Sequence, residues 1–78
     1  MPGAVHADEY RSIISRLADA RLAAGITQAE LAARIGKPQS FISKIERCER
    51  RLDIWEFCRI AVSLDREPAD LLRQIVPD

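Results

Sequence analysis

Short amphipathic segments separated by glycine and proline constrain this chain more than any other feature of its sequence. Apolar residues recur at three- and four-residue spacing, the period of an α-helix, in five segments of the 78 residues. A helix of about 8–15 residues is only marginally stable alone in water, so these segments must pack together. No run of alternating β-branched residues and no tight hairpin dipeptide occurs, so the sequence predicts an all-α, compact five-helix bundle.

Capping residues and helix breakers set the expected helix boundaries. Thr27 with Glu30, and Asp53 with Glu56, have the three-residue spacing of a capping box at a helix start. Glycine often ends a helix because it adopts positive φ without strain. The five helices are therefore expected from residue 8 to Gly25, Thr27 to Gly36, Pro38 to near Cys48, Asp53 to Leu64 and Pro68 to Pro77.

The apolar stripe of each helix predicts the core. Aromatic residues make up only 5% of the chain, so this core must be mostly aliphatic. A chain of this length buries only about 60% of its unfolded surface, which leaves a thin margin of stability. The expected core consists of Ile13, Ile14, Leu17, Ala20, Leu31, Ala32, Ile35, Ile42, Ile45, Ile54, Phe57, Cys58, Ala61, Leu64, Leu71, Leu72 and Ile75.

The length supports one domain. Residues 1–7 show no periodicity and are expected to form a flexible N-terminal tail, with the folded unit over residues 8–78. No apolar run approaches the length of a transmembrane helix, and no basic region followed by a hydrophobic stretch marks a secretory signal. The expected compartment is the cytoplasm, where Cys48 and Cys58 stay reduced.

Residues suited to catalysis or metal binding are few and isolated. His6 lies in the tail, and Cys48 and Cys58 have neither a metal-binding nor a redox spacing. No base neighbours either cysteine in sequence, and no carboxylate pair or phosphate-cradling loop occurs. The sequence therefore indicates a protein that is not an enzyme, with no metal, no cofactor and no evident small-molecule ligand.

Charge is distributed unevenly although the formal net charge is zero. Residues 34–51 carry six cations and two acids, a net charge of +4, and both flanking regions are net acidic. A local basic patch of this kind can attract phosphates. A solvated helix face with an excess of arginine explains the same charges, so the charge pattern alone leaves both interpretations open.

Two helices joined by a short turn containing glycine form a helix-turn-helix unit. Gly36 lies at such a turn, and Ala32 lies where the two helices cross, where a larger side chain would separate the axes beyond about 8–10 Å. The stretch TQAELAARIGKPQSFISKIE, residues 27–46, resembles the Cro/phage-repressor helix-turn-helix family, the xenobiotic-response-element-like group. The matching residues are Gly25, Thr27-Gln28, Glu30-Leu31-Ala32, Gly36 and Ser43-Lys44-Ile45-Glu46, and the resemblance extends from about Ile14 to Leu72.

This resemblance implies a lambda-repressor-like DNA-binding domain whose third helix, about residues 38–47, enters the major groove. The chemistry agrees, since Gln39 can pair with adenine and Lys44 can reach guanine O6 and N7. Gln28 resembles the family residue that clamps a phosphate. The expected DNA-binding residues are Gln28, Lys37, Gln39, Ser40, Phe41, Ser43, Lys44, Arg47, Arg50 and Arg51.

For several of these residues an ordinary structural role is the alternative interpretation. Gln39 and Ser40 would also suit an ordinary first helical turn. Phe41 could extend the core beyond Ile45, and residues 50–51 could belong to a solvated loop.

The resemblance also bears on four further positions. An arginine of the first helix pairs with the family glutamate, which makes Arg21 and Glu46 an expected structural ion pair. Cys48 stands where the family usually has glycine, and a left-handed conformation there would cost roughly 1 kcal/mol, so either Cys48 accepts that cost or the third helix ends differently. Lys37 stands where the family often has valine, which places a charge near the expected phosphates.

Apolar residues outside the main stripes suggest a second surface. Trp55 and Val62 lie off the apolar face of the fourth helix, and with Ile75 and Val76 they are expected to form a homodimer interface through the last two helices. Alternatively, Trp55 folds back over the domain as core. A homodimer would set two recognition helices about 34 Å apart on a pseudo-palindromic operator.

The function expected from the sequence is that of a cytoplasmic regulator that binds double-stranded DNA and changes transcription by occupying an operator. The alternative is a protein-interaction or antitoxin-type helix-turn-helix module whose main partner is another protein.

Overall fold

The computed structural model describes residues 7–77, which form five helices and no strand within that range. The all-α five-helix prediction is therefore confirmed. Residues 1–6, which include His6 and most of the predicted tail, and residue 78 lie outside the described range. The helices are α1 (Asp8–Ala23), α2 (Gln28–Arg34), α3 (Gln39–Glu46), α4 (Ile54–Ser63) and α5 (Pro68–Ile75).

Both predicted capping boxes are present. The Thr27 hydroxyl accepts the Glu30 backbone N–H at 3.1 Å, and the Glu30 carboxylate accepts the Thr27 N–H at 2.8 Å. The Thr27 backbone N–H, and to a smaller extent the Thr27 hydroxyl, stabilise the Glu30 carboxylate and hold its pKa below the usual value. Asp53 and Glu56 make the same reciprocal pair at the start of α4. Pro38 caps α3 rather than forming its first turn, so α3 begins one residue later than expected.

The ends of α2 and α3 have the same geometry although only one of them uses glycine. After α2, Gly36 has φ +70°, its N–H bonds the Ala33 carbonyl, and the Lys37 N–H bonds the Ala32 carbonyl. After α3, Cys48 has φ +59° and makes the corresponding bond to Ile45. This is the Schellman arrangement, with Cys48 at the position that favours glycine.

The strained backbone conformation of Cys48 is compensated by burial of its side chain. The thiol is buried and packs with Ile14 and Ile45 in a small second cluster of the core. Burial of the side chain offsets a backbone strain of roughly 1 kcal/mol. Helix α3 ends at Glu46 with Arg47 as its cap, close to the expected end near Cys48.

The main core lies between α1, α2, α4 and α5, with Ile42 contributed by α3. Ala32 is buried where α2 packs on α3, as the sequence predicts. The prediction that Ile54 and Leu72 belong to the core is wrong, since Ile54 is 83% exposed and Leu72 is also exposed. Ile60, which the sequence pattern missed, is buried instead.

Ala32→Leu should lower the free energy of unfolding by about 1–3 kcal/mol, because a larger side chain overpacks the contact between α2 and α3. Urea unfolding measures the loss. Ala33→Leu, a matched change at the exposed neighbouring position of the same helix, should cost far less. Equal losses for the two variants would contradict the packing described here.

Candidate nucleic-acid interface

Helix α3 lies on the surface with one face buried and one face in solvent. Ile42 and Ile45 fix its inner face, and α3 packs chiefly on α2 and also on α1. Gln39, Ser40 and Lys44 are exposed and are called the outward row below. No salt bridge within residues 7–77 involves Lys44, so its ammonium group is available to a ligand.

A chain of side-chain hydrogen bonds leads from the outward row into the protein. The Gln39 side-chain NH2 donates to the side-chain oxygen of Gln28 at 3.4 Å, and the Gln28 side-chain NH2 donates to the Glu46 carboxylate at 2.9 Å. The outer contact is long and therefore weak. It occupies only one of the two N–H groups of the Gln39 side chain, and Gln28 stays anchored at the start of α2.

The ion pair between Arg21 and Glu46 anchors this chain. Arg21 donates from Nε at 2.7 Å and from Nη2 at 3.0 Å to the two carboxylate oxygens, and both side chains are largely buried. Its remaining terminal nitrogen donates to the Ile26 carbonyl at 2.7 Å. The expected ion pair therefore exists, and it joins α1, the turn before α2 and the end of α3.

Ser43 and Phe41 face the protein more than the sequence suggested. The Ser43 hydroxyl donates to the Ser40 carbonyl at 3.3 Å and is only partly exposed. The Phe41 ring packs against both core clusters, and Lys37 and Arg50 lie over it at 5.2 and 4.6 Å from the ring centroid. Phe41 thus extends the core, which was the alternative interpretation.

The three arginines after α3 differ in how tightly they are held. Arg47 pairs with Glu49 at 2.9 Å with both side chains mostly exposed, a contact that contributes little and opens easily. That hydrogen bond lowers the pKa of Glu49. Arg51 is exposed, with its guanidinium carbon 5.9 Å from the centroid of the Tyr10 ring. Arg50 is held on both terminal nitrogens by Glu56, at 2.8 Å each.

A shallow depression of about 330 Å³ lies beside the outward row, between the end of α1 and the start of α2. Leu22, which the sequence reasoning did not single out, borders it and is 62% exposed. Its position off the buried stripe of α1 was a visible signal, but an isolated exposed leucine is common and indicates little. Gln28 and Gln39 border the same depression.

Large apolar side chains are also exposed on α4, on α5 and directly after α5. Trp55 is 71% exposed, so it does not fold back over the core as the alternative proposed. The prediction that Ile75 takes part is wrong, because this side chain is 1% exposed and belongs to the core. The exposed members, called the apolar face below, are Ile54, Trp55, Val62, Leu72 and Val76.

The apolar face continues into a groove of about 360 Å³ between α1, α4 and α5. Ile13, Phe57 and Cys58, all partly exposed, lie along it, and Asp53 is the one charged residue in its lining. This explains why the helical spacing counted Ile54 and Leu72 as core. They lie at the edge of an apolar surface that residues 7–77 leave exposed.

The part of the chain that the structure describes contains neither a metal-binding cluster nor a disulfide bond. Within residues 7–77 no group of three or more His, Cys, Asp or Glu side chains could hold a metal ion, and both cysteines are free thiols. In the same range, no helix has both the length and the apolar character needed to cross a membrane.

Comparison with known proteins identifies the family. The model of the helix-turn-helix family matches residues 17–71. The chain belongs to the Cro/C1-type helix-turn-helix family. A search of curated proteins finds no match.

Two solved structures resemble this family member over most of their length. An XRE-family like protein from Pseudomonas syringae pv. tomato strain DC3000 is 48% identical with a TM-score of 0.82, covering 91% of this chain and 87% of its own. The restriction-modification controller protein C.AhdI from Aeromonas hydrophila is 31% identical with a TM-score of 0.70, covering 83% of this chain and 99% of its own. The family and these neighbours support a DNA-binding transcriptional regulator.

Glu46→Ala should lower the free energy of unfolding by about 3–5 kcal/mol, because it leaves Arg21 buried without its partner. Thermal or urea unfolding measures the loss. The double variant Arg21→Met, Glu46→Leu removes both charges and should recover most of the stability. A double variant no more stable than Glu46→Ala would show that the unpaired charge is not the cause.

Proposed function

We propose that this protein is a sequence-specific regulator that binds double-stranded DNA as a homodimer and inserts α3 into the major groove of a pseudo-palindromic operator. The outward row carries the proposal. Gln39, Ser40 and Lys44 are exposed on the surface of α3, while the buried residues of α3 are aliphatic. Base edges in the major groove offer the donors and acceptors that these side chains match.

Base reading would begin at the first turn of α3. Gln39 can donate to adenine N7 and accept from its N6 while Gln28, held by Glu46, supports its amide from behind. Lys44, one turn further along α3, would reach guanine O6 or N7. Ser40 is short enough to bond either a base or a phosphate.

Phosphate contacts would flank the outward row. Lys37 and Arg51 are exposed, and Arg47 has only a weak surface partner to release. Each phosphate contact releases counterions, so binding should weaken steeply as salt rises. Ser43 and Gln28 can add neutral hydrogen bonds to the backbone.

The homodimer would form through the apolar face. A small regulator that leaves Ile54, Trp55 and Leu72 exposed gains stability when a second copy covers them. A two-fold axis uses the same patch twice, so the face is sufficient for both protomers. Since no effector domain is evident within residues 7–77, the dimer equilibrium would make operator occupancy depend on protein concentration.

A protein partner is the second candidate for this surface. Trp55 and Val62 lie beside Arg34 and Arg59 along a shallow depression, and an exposed aromatic bordered by cations also suits a protein interface. Such an interaction module has no need of the outward row. A protein complex whose affinity does not change with salt, together with DNA binding that is weak for every sequence, would favour it.

Lys44→Ala should weaken binding to the operator by about 1–3 kcal/mol and relax preference at one base pair. Arg47→Ala should weaken all duplexes equally and lower the slope of log affinity against log salt by about 1. Competition binding with an operator selected from random duplexes separates the two effects. Unchanged affinity and preference in Lys44→Ala would remove the assigned groove contact.

Ile54→Asp should make the protein monomeric at concentrations where the wild type dimerises, because a carboxylate would be buried in the apolar face. Leu22→Asp, a matched change at an exposed leucine off that face, should remain dimeric. Sedimentation velocity reports both. A wild type that stays monomeric at high micromolar concentration would defeat the dimer proposal.

A further inference from the structure

Arg50 joins two helices through side-chain contacts alone. Its guanidinium donates to both carboxylate oxygens of Glu56 on α4, at 2.8 Å each, and to the Arg51 carbonyl at 2.8 Å. The same guanidinium lies 4.6 Å from the centroid of the Phe41 ring on α3. One planar cation therefore bridges α3 and α4 while its own residue belongs to neither.

The two ends of this bridge are themselves fixed. Phe41 packs against both core clusters, which ties the position of its ring to that of α3. Glu56 also accepts the Asp53 N–H at 3.0 Å as part of the capping box that starts α4. A shift of Arg50 would therefore disturb the placement of α3 or the start of α4.

Arg50 is poorly suited to bind a phosphate in this arrangement. Its charge is neutralised by a carboxylate, and the hydrogen bonds between them raise the pKa of Arg50 and lower that of Glu56. Arg47 and Arg50 are each held by two hydrogen bonds to one carboxylate, but the side chains of the Arg47–Glu49 pair are 58% and 54% exposed and those of the Arg50–Glu56 pair 40% and 16%. A phosphate would therefore displace Glu49 more easily than Glu56. Arginine is suited to such a bridge because its planar group can stack on a ring and bind a carboxylate together.

We propose that Arg50 is a positioning residue that sets the angle of α3 relative to α4, and so determines sequence discrimination without touching DNA. The proposal rests on the proposed function, in which α3 reads bases and α4 carries the dimer contact. In a dimer, the bridge fixes how each recognition helix is aimed relative to the two-fold axis. Loss of the bridge would then affect specific binding more than non-specific binding.

Glu56→Gln distinguishes a bridge from a phosphate ligand by the sign of its effect. Glutamine still accepts the Asp53 N–H as a capping residue, so the fold is retained, but the charged bidentate contact to Arg50 is lost. Affinities are measured for a duplex selected by the wild type and for a scrambled duplex. We expect the ratio of the two affinities to fall about tenfold, a size typical of coupling within one network.

A phosphate-binding Arg50 predicts the opposite result. Glu56→Gln would free that cation and remove a carboxylate, so binding to both duplexes would tighten and their ratio would not fall, which would overturn the proposal. Glu9→Gln, at an exposed acid of α1, makes the same change of charge and serves as the reference. It should leave the ratio of the two affinities unchanged.

A measurement without DNA separates this proposal from the proposed function. Residual dipolar couplings of wild type and Arg50→Met report the angle between α3 and α4, with α1 and α2 as internal references for an intact fold. A changed angle in Arg50→Met supports the bridge even if no duplex is bound, a result that would defeat only the proposed function. An unchanged angle overturns the bridge even if specific DNA binding is found.

Discussion

The buried ion pair between Arg21 and Glu46 is the interaction on which the candidate interface depends. It closes the end of α3 against α1 and holds the Ile26 carbonyl in the turn before α2. Through Glu46 it also holds Gln28, whose side-chain oxygen accepts a hydrogen bond from Gln39 in the outward row. Such a pair adds little net stability because desolvation opposes it, but it penalises any packing of α3 that separates the charges. The orientation of the outward row therefore depends on this buried ion pair.

Local chemistry made much of this structure predictable from sequence. Capping boxes, the glycine after α2 and the small residue at the helix crossing depend on neighbours in the chain, and the Thr27 box and Ala32 are found as expected. The outward row was visible because polar residues interrupt the apolar spacing of α3. The sequence did not show which apolar residues are buried in the core and which lie on the apolar face. Helical spacing shows which stripe of a helix is apolar, but it does not show how much of that stripe the other helices cover. For that reason Leu72 was expected in the core, and Ile75 in both the core and the dimer interface, whereas of the two only Ile75 is buried.

Arg50 illustrates a second limit. In sequence it is one cation of a basic connector, equivalent to Arg47 and Arg51, and a phosphate role suited all three. In the structure its environment is different, because Glu56 and Phe41 converge on it from the helices on either side of it in the chain. Contacts of that kind depend on tertiary packing, which a charge pattern does not describe. The conformation of Cys48, by contrast, could be anticipated from the family position, and burial of its thiol explains why it is tolerated.

Selection of bound duplexes from a random DNA pool tests the central claim, that the outward row meets the edges of base pairs, most directly. The account predicts enrichment of two related half-sites in inverted orientation, with centres about one helical turn of 10–10.5 base pairs apart or a multiple of it. It also predicts loss of that enrichment in a variant with Gln39, Ser40 and Lys44 all changed to alanine. Equal enrichment of the same sequences by the wild type and this triple variant, or no enrichment by the wild type, would contradict it.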